Sequence, residues 1–365
     1  MDRKIRDEPS RLLPMNRSDL QLKRFGHEVL RVERGPRSDV AIAVAVHSTQ
    51  AGPAIGGCRI KSYSDWRDGI TDATRLAAAM TEKCSLAGLP HGGGKAVVMD
   101  PGTLRDTDVR HLVLEDLADL ITGLGGTYIT GPDIGSTPED MDVLHQMTGG
   151  LSFCRPEASG GSGNSSNATA QGVIAALVAG AEHVFSTRSL AGLRAGIIGY
   201  GSVGSLIAES LASRGCMVTV AEANQQRRRD VEAVGLVWAQ GDLLEEDLDI
   251  LVPAAVGGLL SPETARACRA RLIVGPANNQ LTDDGVASIL HDNGITWVPD
   301  VVASAGGIIH AVCREEMGLG QRETAGRIAA IGATTAEILA ESRDLAITPH
   351  TAARNISARR QKEMA

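Results

Sequence analysis

Residues 195–222 read AGIIGYGSVGSLIAESLASRGCMVTVAE. The apolar run 195–198 predicts a strand, 205–214 a helix and 217–220 a second strand, with Gly199, Gly201 and Gly204 spaced G-x-G-x-x-G at the strand-to-helix turn. In such a turn the backbone N–H groups of Gly199, Gly201, Ser202, Val203 and Gly204, with the positive end of the helix behind them, can hold a pyrophosphate. A tight turn without a ligand can carry the same glycines, so the flanking elements and Glu222 matter. Glu222 lies 18 residues past Gly204, at the end of the second strand, where a carboxylate accepts hydrogen bonds from both adenine-ribose hydroxyls. It would repel a 2′-phosphate, so the expected cofactor is NAD rather than NADP. Arg227, Arg228 and Arg229 just downstream could pair such a phosphate, or could be the solvated face of a helix.

Working outward, further short apolar strands are predicted at 250–252, 272–274 and 297–299, alternating with helices such as 169–181. Strands alternating with helices predict an α/β fold with a doubly wound parallel sheet. The Gly/Ser/Asn run 159–167 is the candidate hinge to a first unit. That unit is expected to hold a buried strand at 39–49, a Gly/Pro loop at 51–57, a helix at 65–87, a glycine-rich loop entering a strand at 95–99, a helix at 108–122 and a strand at 127–130. The expected organisation is a polar lead-in over 1–20, a substrate and catalytic domain over 21–155, and a Rossmann-type dinucleotide domain over 156–322. A C-terminal helix over about 323–365 is expected to pack back on the first domain.

A chain of 365 residues has room for two such cores. Lys plus Arg total 36 against 44 Asp plus Glu, a net charge of −8, which offers no electrostatic footprint for nucleic acid or an anionic membrane. The six cysteines show no CxxC pair and no His/Cys spacing typical of a metal site, so reduced, mostly buried thiols and no metal are expected. The N-terminal residues lack the apolar run of a signal peptide, and a cytoplasmic protein is expected.

In the first unit two lysines flank the glycine loop, Lys83 in MTEK and Lys95 in HGGGK, and a later strand delivers Asp133 in GPDIGS. Lysines and aspartates are usually surface charges, but three glycines before Lys95 let backbone and substrate come close. Two ammonium groups near one carboxylate also form a set in which each tunes the others' pKa.

Taken together, RFGHE, STQAGPAIGGCR, MTEKCSLAGLPHGGGKAVV, YITGPDIGSTPEDMD, GGSGNSSNATAQGV, GYGSVG, GPANNQL and PDVVASAGGIIHAVCRE occur in the order found in the glutamate/leucine/phenylalanine/valine dehydrogenase family. The chain resembles that family from Arg24 to Arg360, most closely its phenylalanine dehydrogenase-like branch. The resemblance implies reversible, NAD-dependent oxidative deamination of an apolar L-amino acid, aromatic or branched, to its 2-oxo acid and ammonia. It implies that Lys83 binds the substrate carboxylate with Asn279 assisting, that Lys95 is the catalytic lysine, and that Asp133 handles the amino-group proton. Gly56, Gly57, Pro132 and Val302 would border the substrate, and Thr169, Ala254, Ala255 and Asn278 the nicotinamide side of the cofactor. Relatives are symmetric oligomers, so at least a dimer is expected.

Three positions depart from the family's usual pattern. His91 precedes the glycines where an aliphatic residue is common, and could meet a polar substituent or be a hydrogen-bonded structural histidine. Ser165 and Asn167 stand where many relatives have proline, and Ser304 replaces a frequent asparagine near the expected side-chain wall of Val302, Ala303 and Ile308. Two other readings remain: a 2-hydroxy acid dehydrogenase, which usually pairs a His with a carboxylate and binds substrate through an Arg, and a catalytically impaired cofactor-binding paralogue.

Overall fold

The computed structural model describes residues 26–102, 104 and 106–364, so the expected lead-in over 1–20 lies outside the described residues. The first unit comprises β1 (Val29–Arg34), β2 (Ala41–Ser48), β3 (Ala54–Lys61), α1 (Trp66–Leu86), β4 (Gly92–Met99), α2 (Thr107–Thr122), β5 (Tyr128–Pro132) and α3 (Pro138–Thr148). Its sheet is mixed, in the order β1-β2-β4-β3-β5, with β2 antiparallel to both β1 and β4 and β3 parallel to both β4 and β5.

Helices cover both faces of this sheet, which is why β2 is apolar along almost its whole length. Its alternation still sorts residues by size: Ala43 and Ala45 face Ala73 and Ala77 of α1, while Ile42, Val44 and Val46 join Leu117 and Ile121 of α2. Small side chains on one face let α1 lie close against the sheet.

That closeness revises the expected glycine loop, because Gly92, Gly93 and Gly94 lie inside central strand β4. A Cβ on Gly93 would stand 2.1 Å from the Thr81 amide of α1, and one on Gly94 would stand 2.5 Å from the Tyr128 ring. Bare backbone is needed here to admit a helix on one side and a buried phenol on the other. The expected loop at 51–57 is likewise shorter, since β3 begins at Ala54 and carries Gly56 and Gly57 within the strand.

The second unit runs α4 (Ser166–Phe185), β6 (Arg194–Ile198), α5 (Ser202–Ser213), β7 (Met217–Ala221), α6 (Arg228–Ala233), β8 (Val237–Trp238), β9 (Ile250–Pro253), α7 (Pro262–Ala267), β10 (Leu272–Ile273), α8 (Gly285–Asp292), β11 (Thr296–Trp297), α9 (Asp300–Ala303) and α10 (Gly306–Ala311). All six strands are parallel in the order β11-β10-β9-β6-β7-β8, so the chain reverses its direction of travel across the sheet beside β6. A ligand crevice belongs at the carboxyl end of β6, at this switch point. Helix α4 is long and apolar enough to cross a membrane by length and composition, yet it packs against α5, α10 and α12 (Ile331–Leu345) as a core helix.

The C-terminal region is not the single helix expected. After α11 (Gln321–Ala329), α12 packs mainly on α4 of the second unit, and only α13 (Pro349–Met364) returns along α1. Leu86 at the end of α1 receives Arg360 of α13 at 2.8 Å, and Ser85 donates to the Ser357 carbonyl at 3.0 Å. The segment expected as a hinge enters α4 through irregular backbone; Glu315 accepts from the amides of Cys154 and Ser162 on either side of the Glu157–Ser159 turn, at 2.7 and 2.9 Å.

Candidate active site

Between the two units lies a cavity of about 260 Å³. From the first unit, β3 contributes Gly56, Gly57 and Arg59, β4 contributes Lys95, the end of β5 contributes Pro132 and Asp133, and the last turns of α1 contribute Met80 and Lys83. The second unit closes it with Asn278, Asn279, Asp300, Val301, Ser304, Gly307 and Ile308. Gly57, Arg59 and Lys95 share a sheet face with α1 because strand residues alternate, their neighbours Cys58 and Ala96 joining the core on the opposite side.

The polar end is a charge network. The Lys95 ammonium, 6 % exposed, lies 2.5 Å from Asp133 Oδ2, and the same oxygen accepts from Arg59 Nε at 3.0 Å. Burial opposes ionisation of Asp133, but the two cations prevail and hold its carboxyl down at about 2. Burial pulls Lys95 below the ordinary lysine range, with Asp133 pulling the other way and Arg59 adding to the depression. Lys83 is also pushed down by burial; its ammonium donates to Ser304 Oγ at 2.9 Å and Asn278 Oδ1 at 3.0 Å.

An apolar wall is formed by Leu76, Ala79, Met80, Phe153, Val301 and Ile308. One expected wall residue is displaced: Val302 is 2 % exposed, belongs to the core of the second unit and does not border the cavity, and Ala303 is buried with it. Helix α9 turns its neighbour Val301 to the cavity instead, since adjacent helical residues point about 100° apart.

The glycine turn fits a dinucleotide. Gly199 has φ +107°, and a Cβ there would meet the Ala255 amide at 2.7 Å; one on Gly204 would strike the Gly199 carbonyl at 2.1 Å. Gly201 faces open space at the N-terminus of α5, where no side chain caps the helix amides. Ser202 is exposed and Val203 half-buried. Glu222 accepts from the Tyr200 amide at 2.8 Å and the Asn224 amide at 2.9 Å, bonds that lower its pKa and fix the carboxylate beside the turn. Arg227 donates to the Tyr200 carbonyl at 2.9 Å, and Arg228 pairs with Glu232.

Close backbone approaches link this turn to the cavity. Gly199 abuts Ala254 and Ala255, Gly257 abuts the carbonyls of Asn278 and Asn279, and Thr169 lies against Gly307 on the cavity wall. Asn278 then meets Lys83 directly.

Residues 31–149 match the family model described as Glu/Leu/Phe/Val dehydrogenase, dimerisation domain, and residues 221–318 the model described as Glutamate/Leucine/Phenylalanine/Valine dehydrogenase. A valine dehydrogenase of Streptomyces albus is 35 % identical over 344 residues, covering 93 % of each chain. The chain belongs to the Glu/Leu/Phe/Val dehydrogenase family. A phenylalanine dehydrogenase of Lysinibacillus sphaericus is 34 % identical over 299 residues, 80 % of this chain and 77 % of that one. The crystal structure of L-tryptophan dehydrogenase from Nostoc punctiforme superposes with a TM-score of 0.79 at 27 % identity, covering 93 % of this chain and 97 % of that one. The protein is an amino acid dehydrogenase of a family that uses NAD(P).

Two residues of this charge network have no signal in the sequence. Arg59 was visible in GGCR, but nothing in the pattern marked it as the second cation on Asp133. Arg75 carries no local signal in the sequence; only the fold brings it to Asn279. Ser304 did carry a signal, its departure from asparagine, and it contacts Lys83.

Proposed function

We propose that this chain catalyses the reversible, NAD-dependent oxidative deamination of an apolar L-amino acid. One observation carries the reading: Lys83, Lys95 and Asp133 converge on one cavity that also has an apolar wall of Leu76, Ala79, Met80, Phe153, Val301 and Ile308. An amino acid zwitterion needs a cation for its carboxylate and an anion near its ammonium, and Lys83 and Asp133 supply that pair. The apolar wall then suits an aromatic or branched side chain.

In this reading Lys83 binds the carboxylate with Asn279, while Gly56, Gly57 and Pro132 let the α-carbon approach the sheet. A bound nicotinamide would supply the hydride acceptor for the α-carbon. Lys95, its pKa lowered by burial and by Arg59, takes a proton from the attacking water and, once protonated, polarises the carbinolamine or carbonyl oxygen. Asp133 carries the amine proton. Gly199, Gly201, Ser202, Val203 and Gly204 would hold the pyrophosphate, Glu222 the adenine ribose, and Thr169, Ala254, Ala255 and Asn278 the nicotinamide side. Glu222 favours NAD by opposing a 2′-phosphate.

A homo-oligomer, at least a dimer, is part of the proposal: β1 is an edge strand of the first sheet and overlaps the region matching a dimerisation-domain model. So is a cytoplasmic location, with which six free thiols agree. The test is NADH formation from a panel of L-amino acids, with Lys95→Ala as control. Turnover of an apolar member, abolished by Lys95→Ala, supports the reading; equal turnover by the variant, or reduction of 2-oxo acids without ammonia, overturns it.

A further inference from the structure

Asn279 is held unusually firmly for a residue on a loop. Its backbone is left-handed, at φ +54°, and its amide N–H donates to Asp300 Oδ2 at 2.7 Å. Its side-chain Oδ1 accepts from Arg75 Nη1 at 2.7 Å, a contact that crosses from the first unit to the second.

Arg75 is anchored in turn, its Nη2 lying 2.8 Å from Asp72 Oδ1. Asp72 is itself gripped by Arg59 at 2.7 Å and by the Tyr63 hydroxyl at 2.8 Å. An unbroken polar chain therefore runs from Asp133 through Arg59, Asp72 and Arg75 to Asn279.

The chemistry of the two partners decides which way the amide points. A guanidinium offers only donors, whereas a carboxamide offers an acceptor on one end and donors on the other. Arg75 can be satisfied only by Oδ1; a flipped amide would set donor against donor. Nδ2, which bonds to none of the described residues, is thereby left as the donor end.

We propose that Arg75 is a positioning residue for the dehydrogenase reaction: by capturing Oδ1 across the cleft it orients the Asn279 amide with Nδ2 toward the substrate carboxylate. This rests on the reading of Asn279 as a carboxylate ligand beside Lys83. Arg75 touches no reacting atom, and its half-exposed side chain fills no core.

The experiment is steady-state kinetics on Arg75→Met, Arg75→Lys, Asn279→Ala and the Arg75→Met/Asn279→Ala double variant of the full chain, with the best amino acid substrate of the panel. Freeing one polar side chain raises KM for the amino acid about three- to tenfold in Arg75→Met. The expected kcat stays within about twofold, because the orientation concerns binding rather than the hydride step. Arg75→Lys, which keeps a donor, recovers most of the loss, and in the Asn279→Ala background the Arg75→Met effect disappears, since no amide remains to orient. An Arg75→Met effect of equal size in that background overturns the proposal, as does an unchanged KM in Arg75→Met while Asn279→Ala raises it. An unchanged KM in Asn279→Ala overturns it differently, by removing Asn279 from the carboxylate site and leaving Arg75 nothing to position.

Discussion

Replacing Arg59 by methionine tests the electrostatics of the site most sharply. Arg59 and Lys95 grip the same oxygen of Asp133, at 3.0 and 2.5 Å, so their nitrogens are at most about 5.5 Å apart. Two like charges at that separation repel by about 3 kcal/mol at an effective dielectric constant of about 20, equivalent to about two pKa units. Both side chains are buried, Arg59 at 8 % exposure, so solvent screens the pair little.

Arg59 therefore lowers the pKa of Lys95 and makes its ammonium easier to deprotonate. Its removal favours the ammonium form, and Asp133, relieved of one partner, favours that form further. Asp72 keeps Tyr63 and Arg75, so no buried anion is stranded. The acidic limb of the kcat profile for amino acid oxidation should shift to higher pH by about one to two units in Arg59→Met. Below the shifted limb kcat should fall about ten- to a hundredfold, the proportion of neutral Lys95 lost over the same interval. NADH formation across a pH series reads this directly. A limb that stays in place, or moves to lower pH, would refute the assignment of Lys95 as the titrating base under Arg59's influence.

Three further outcomes follow from other parts of the molecule. Glu222→Gln removes the charge that opposes a 2′-phosphate, so the preference for NAD over NADP, measured as a ratio of kcat/KM values, should shrink about tenfold or more; an unchanged ratio would detach Glu222 from cofactor choice. Gly94→Ala forces a methyl to within 2.5 Å of the Tyr128 ring and should destabilise the chain by about 1–3 kcal/mol, seen as a Tm lower by several degrees; a Tm equal to that of the parent would contradict the close packing of β4. The His91 Nε2 lies 2.9 Å from Glu316, and although burial disfavours its charged form, that carboxylate raises its pKa. A raised histidine pKa stabilises the fold below the unfolded value and loses that contribution as pH climbs through the folded one. The Tm advantage of the parent over Glu316→Gln should thus be largest at acid pH below about 6.5 and decline on the alkaline side; a pH-independent difference would remove the pair from the stability balance.

How far the sequence was legible depended on whether a signal was local. The strand, turn and helix around Gly199 announce themselves because period-2 and period-3.6 patterns and a glycine fingerprint lie within 28 residues. The same holds for α1 and α2. By contrast β1 is half exposed and charged at one end, and β8 has only two residues, so neither carries a pattern of its own. Gly92–Gly94 were misleading: three consecutive glycines resemble a loop, and only α1 and Tyr128 on opposite faces explain why a central strand lacks side chains. The fate of 323–365 was unreadable for a similar reason, because the faces of α11 to α13 do not say which unit they cover.

The sequence by itself determined the α/β class, the dinucleotide turn, the identities of Lys83, Lys95 and Asp133, and family membership. Each of those depends on residue type and near spacing along the chain. Only the tertiary structure decided that Arg59 shares Asp133 with Lys95, that Arg75 reaches Asn279 from a point 204 residues away, and that Val301 rather than Val302 borders the cavity. Those facts depend on the distances and directions of side chains brought together from separate elements, and electrostatic coupling over a few ångströms is invisible until the chain has folded.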